Sequence, residues 1–187
     1  MPTSEMLKIG AEIKLSSWIE GNNDDTSWEI GKYLVLATKC NPTVLETFLA
    51  PIERSSPFGD QVRGLFPYVW NSIGVKNAFI GYARDQGEKF VANDDRRAAK
   101  YASAYLRVLY NCYELLSSGT FSVDLRGTEV YEQCKRFKSG DYSHHEVIDA
   151  CSKMERKVLK AFEVNPDKQT NLEPINEFLL RVRKATW

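Results

Sequence analysis

Lys100, Ser103, Arg107, Asn111 and Glu114 stand 3, 4, 4 and 3 residues apart in the stretch KYASAYLRVLYNCYELLSSG, residues 100–119. A helix turns about 100° per residue, so this spacing puts all five on one face. Lys100 and Arg107 are close to two turns apart and point the same way, about 10 Å from each other. Two cations backed by an amide and a carboxylate suit a phosphate-bearing ligand. The same pattern also fits an ordinary solvated face. Ala102, Leu106, Leu109, Tyr113 and Leu116 form an apolar stripe on the same helix, which must therefore be anchored in a core.

Fewer residues elsewhere have the types that chemistry needs. Arg84 and Gln86, in GYARDQ, are polar groups on another helical stretch that could face the same cleft. Arg181 and Arg183 lie on the basic side of the last helical stretch and could form a rim for nucleic acid. Lys138 reads as a cation favoured by a helix C-terminus. Adjacent carboxylates occur at Asp24-Asp25 and Asp94-Asp95. Such pairs can hold Mg²⁺, but Asp94-Asp95 also reads as a helix cap and Asp24-Asp25 as part of a turn. His144 and His145 do not complete an H-E-x-x-H pattern, and there is no G-x-S-x-G, P-loop or G-x-G-x-x-G. A triad hydrolase, a zincin and a Walker NTPase are thereby unsupported.

The whole chain is balanced: 25 Lys plus Arg against 25 Asp plus Glu in 187 residues. Any nucleic-acid contact must come from a local patch. No window approaches the roughly 20 apolar residues of a membrane span, and MPTSEMLKIG is not a signal peptide. Cys40, Cys112, Cys134 and Cys151 are scattered without a C-x-x-C pair, which points to reduced thiols, a cytoplasmic location and no structural metal.

These side chains are carried by elements that read as mostly α. Residues 1–27 are irregular with a short strand near 13–19. Helices are expected over 29–38, from Asn41-Pro42 through 49, and over 59–70, 74–91, 95–118, 128–137 and 143–164, with a last one through Ile175, Phe178, Leu179 and Val182. TFSVDL, residues 120–125, reads as a short strand or extended connector.

Five blocks, in order, carry a family likeness: DDTSWEIGKYLVLATKCNPTVLETFLAP (24–51), FIGYARDQGEKF (79–90), KYASAYLRVLYNCYELLSSGTF (100–121), FKSGDYSHHEVID (137–149) and NEFLLRVRKATW (176–187). Together they resemble the nucleotidyltransferases of the DNA polymerase beta superfamily, of the type associated with RNA repair in bacteria and large phages. In the family's pattern for the long helix, Lys100, Arg107 and Glu114 match, while a histidine position is Ala104 here. The resemblance implies an α+β fold, mostly α, with residues 1–51 a residual core segment and residues 52–187 a helical domain. It also implies phosphoryl chemistry, in which a D-x-D pair and a third acid hold Mg²⁺ around a nucleoside triphosphate.

The sequence contains neither a D-x-D nor the G-S dipeptide of that family. The expectation is an N-terminally shortened, nucleotidyltransferase-like protein, inactive alone, that keeps a helical face for nucleotide or RNA phosphates. Asp25 is the first choice for a remnant third acid and Glu29 the second. An active Mg²⁺- and NTP-dependent enzyme completed in trans is an alternative, as is self-association. A different class of reading is a phage or mobile-element protein that binds a host or companion factor or sequesters a nucleotide, with Trp18, Trp28, Trp70 and Trp187 as anchors if they are exposed and not in the core.

Overall fold

The computed structural model describes residue 9, residues 17–19 and residues 26–186. Asp24, Asp25 and Trp187 lie outside the described residues, and so does the side chain of Trp18. Among the described residues are nine helices and one two-stranded ribbon, so the fold is mostly α. Contacts divide the chain into two compact units, residues 1–71 with 169–187, and residues 72–168. The sequence reading put its boundary at residue 51. A linear reading cannot see the last helix return to the first part of the chain.

The first unit holds the antiparallel strands β1 (Ser17–Ile19) and β2 (Thr26–Trp28), with Ser17 opposite Trp28 and Ile19 opposite Thr26. Helices α1 (Ile30–Thr38) and α2 (Pro42–Leu49) follow. Each starts where a side chain meets an orphan amide: Glu29 accepts from Lys32 N at 2.9 Å, and Asn41 Oδ1 accepts from Val44 N at 3.2 Å. Pro42, with no amide hydrogen to lose, takes the first helical position of α2.

The helix expected over 59–70 is two helices, α3 (Pro57–Arg63) and α4 (Phe66–Val69). Pro67 explains the break, because its ring would collide with the carbonyl of Arg63 in a continuous helix. Helix α9 (Leu172–Thr186) packs on α1, α3 and α4. Its apolar face buries Ile175, Phe178 and Leu179 beside a core that includes Leu34, Phe48 and Trp70.

The second unit is built on α5 (Ser72–Val91), α6 (Arg96–Ser118), α7 (Tyr131–Ser139) and α8 (His144–Val164). Helix α6 touches the other three and buries Ala102, Leu106, Leu109 and Leu116 as its stripe requires, with Tyr113 partly exposed. It starts at Asp95, which accepts from Arg97 N at 2.8 Å, and stops at Gly119, whose φ of 82° few other residues adopt. Gly87 allows α5 to approach α6 closely, since a Cβ there would come within 2.8 Å of the Tyr105 ring. Residues 120–125 form no strand and lie as irregular chain between α6 and α7. All four cysteines are buried free thiols. No helix among the described residues is long and apolar enough to cross a membrane.

Candidate phosphate-binding cleft

A cleft of about 570 Å³ opens in the second unit between α6, α7 and the segment joining them. Helix α6 contributes Lys100, Ser103, Ala104 and Arg107, which its 3.6-residue turn aligns. Helix α7 contributes Tyr131, Cys134, Lys135 and Lys138, spaced i, i+3, i+4 and i+7. Val123, Asp124 and Leu125 of the joining segment supply the third wall. Cys134 Sγ lies 3.9 Å from Ser103 O, where the two helices meet.

Four cations face this space. Its one carboxylate, Asp124, is locked to its near neighbour: Arg126 donates from its backbone N to Oδ1 at 3.0 Å and from Nε to Oδ2 at 2.7 Å. The Arg126 guanidinium holds the Asp124 carboxyl below the usual range, so the pair is locally neutral and the cleft keeps its positive charge. Burial pushes the Cys134 thiol up to about 11, against the pull of Arg107. It is a protonated neighbour in the wall and not a thiolate nucleophile at neutral pH.

The joining segment has its own anchor. Glu114 Oε2 accepts from Ser122 N at 2.8 Å, and Oε1 accepts from Ser122 Oγ at 3.3 Å and from Tyr110 Oη at 3.1 Å. The face that begins with Lys100 thus changes character beyond Arg107. Asn111 is buried, its Oδ1 without a hydrogen-bond partner among the described residues. Glu114 belongs to the anchor and does not line the cleft.

The remaining sequence-derived candidates sit elsewhere. Arg84 is exposed and pairs with Glu155 at 2.7 Å on α8, and Gln86 is buried in α5. Neither lines the cleft. Arg181 is exposed and donates to Gln61 Oε1 at 3.1 Å. Arg183 is not on a basic rim: only 4% of it is exposed, and its Nη2 lies 3.5 Å from Glu29 Oε1. One α-helical step of about 100° separates it from the buried Val182, which carries it inward. Trp70, considered as an anchor, is 1% exposed and belongs to the core.

Glu29 is held by the N-terminus of α1 as well as by Arg183. Among the described residues no three acid, histidine or cysteine side chains converge as metal ligands. The Mg²⁺ that the sequence resemblance implies therefore has no donor set among them.

Lys135 and Tyr131 are cleft residues that the sequence reading did not single out, and it assigned Lys138 to a helix end. Their common face on the helix expected over 128–137 was the available signal.

The family model for RlaP, described as the RNA repair pathway DNA polymerase beta family, matches residues 13–181. No curated protein and no solved structure matches the chain.

Proposed function

The chain belongs to the RNA repair pathway DNA polymerase beta family, and from that we propose that its α6–α7 cleft holds the phosphates of a nucleotide or of RNA. The protein is in this reading the phosphate-binding partner in nucleotidyltransferase-like chemistry. One observation carries it: Lys100 and Arg107 from one helix and Lys135 and Lys138 from another converge on a single cleft. Lys100 and Lys138 have no ion-pair partner among the described residues, so their charges are available to an incoming anion. Phosphate oxygens accept charge-assisted hydrogen bonds from such groups and displace their hydration.

This chain contains no D-x-D, and Glu29 is committed to α1 and Arg183. We therefore expect binding without transfer when the chain acts alone, because positioning and metal electrostatics supply nearly all catalysis in phosphoryl transfer.

Fluorescence anisotropy with labelled nucleotide and with short single-stranded RNA tests the reading. The wild-type chain should bind at low salt and weaken steeply as salt rises. The double substitution Lys100→Glu, Lys138→Glu should lower affinity at least tenfold while circular dichroism is unchanged. Indifference to both substitutions would place the phosphate site somewhere else. Labelled NTP, Mg²⁺ and RNA incubated with the chain alone should give no extended product.

A further inference from the structure

Helices α5 and α8 both pack on α6 and lie antiparallel beside each other. Near the start of α5, Lys76 Nζ stands 4.0 Å from the centroid of the Phe162 ring, near the end of α8; at the far end the Phe90 and His144 rings stack at 4.7 Å. Arg84 meets Glu155 at 2.7 Å between them. A groove follows this seam, made of two hollows of about 470 and 330 Å³ that share Arg84. Along α5, Ile73, Asn77, Ile80, Arg84, Gly87 and Val91 are spaced 4, 3, 4, 3 and 4 residues apart. Along α8, Ile148, Ser152, Glu155, Leu159 and Phe162 are spaced 4, 3, 4 and 3. That spacing belongs to a seam along which one helix meets another. Yet Ile73, Val91, Ile148 and Leu159 are 53, 62, 42 and 43% exposed, an apolar edging on both sides of one groove. Gly81 borders the same row, and no described atom stands within 4 Å of where its Cβ would be. A glycine inside a helix weakens it, and nothing among the described residues requires this one. A second backbone closing on the groove would.

We propose that the α5–α8 groove is the interface of a homodimer, in which the partner subunit's α5 lies over α8 and its α8 over α5. A two-fold axis running along the groove generates this four-helix arrangement with antiparallel neighbours. Charge favours a second copy as the occupant and fixes the axis. The middle rung has Arg84 on α5 and Glu155 on α8. At 100° per residue, the exposed Asp85 and Glu88 follow on the outer edge of the α5 row, and the exposed Arg156 and Lys160 on that of the α8 row. Asp149, on the same edge of α8, is taken up by Lys153 at 2.7 Å. The α5 row is thus basic at its centre and acidic at its edge, and the α8 row is the reverse. Laying α5 of one copy on α8 of the other brings unlike charges together in both places. An axis across the groove would stack α5 on α5 and set like charges against each other.

Sedimentation equilibrium of the full chain tests the interface. Wild type should weigh twice 21.4 kDa at micromolar concentration. The double variant Asp85→Lys, Glu88→Lys gives α5 a basic edge, and Arg156→Glu, Lys160→Glu gives α8 an acidic one. Each alone should dimerise at least about tenfold more weakly, with circular dichroism unchanged because all four side chains are exposed. An equimolar mixture of the two should regain the dimer mass, since unlike edges then meet on both sides. Gly81→Gln has room in the monomer and should also weaken the dimer at least about tenfold. A wild-type chain that stays monomeric at high concentration would overturn the proposal and leave the groove to a helix of another protein. A dimer indifferent to all three variants would place its interface elsewhere. A mixture that remains monomeric would overturn the pairing of α5 with α8.

Discussion

Glu29 has two possible meanings, and its surroundings separate them. As a remnant catalytic acid it would need other carboxylates nearby; in the structure it accepts from Lys32 N and faces the buried Arg183. Gly31 fits the same corner, since a Cβ there would run into the Arg183 guanidinium and the Glu29 carboxylate. Glu29→Ala should cost about 0.5–2 kcal/mol, the usual range for a lost cap, and lower the melting temperature by roughly 1–8 °C. Nucleotide affinity should not change. Scanning calorimetry beside anisotropy distinguishes the two: a large loss of affinity with an unchanged melting temperature would restore the catalytic meaning. The buried Arg183 was misjudged from sequence because Arg181, Arg183 and Lys184 share a charge. Only the placement of Val182 against the core shows that one of the three must turn inward.

At the scale of elements, the anchor made by Glu114 decides whether the cleft has its third wall. Two hydrogen bonds to the Glu114 carboxylate, which also accepts from Tyr110 Oη, hold Ser122, next to Val123, Asp124 and Leu125. Glu114→Ala leaves the Ser122 amide without its acceptor, a change of about 1–3 kcal/mol. Hydrogen exchange at residues 120–125 should quicken at least tenfold, with α6 and α8 still protected, and nucleotide affinity should fall several-fold. Unchanged exchange would show that the segment is held by something else. The spacing of 3, 4, 4 and 3 aligns five side chains along α6, yet only the first three line the cleft, Asn111 being buried and Glu114 turned to the Ser122 anchor. Periodicity fixes direction around a helix and says nothing of what lies above it. The helices with clear caps, at Asn41, Asp95 and Ser143, were legible for the opposite reason: the cap is a local event within three residues. Pro67 was equally local and still missed, because the apolar pattern over 59–70 continues across it.

The whole molecule should be sensitive to alkali. Burial pushes the Tyr33 and Tyr105 phenols up, raises Tyr110 to about 12 with help from the Glu114 carboxylate, and raises the Cys134 and Cys151 thiols. All are held protonated in the fold. Above the ordinary values of about 9 for a thiol and 10 for a phenol, the unfolded chain binds fewer protons than the folded one, so stability falls as pH rises. The loss should run from about pH 9 to 12, with about 2 kcal/mol of it traceable to Tyr110. Urea melts across that range should show the midpoint falling, and Tyr110→Phe should flatten the upper part of the decline. A midpoint that holds steady to pH 11.5 would contradict the burial of these groups.

Ser72 N donates to Lys168 O at 3.0 Å, so the second unit starts and finishes at one point. A segment whose ends meet can be lifted out, rejoined by a few glycines, cut open at another bend or spliced into a loop of an unrelated scaffold. Every side chain lining the cleft falls between those two ends. The cleft-bearing portion is thus topologically a cassette, transferable as one continuous run of 97 residues.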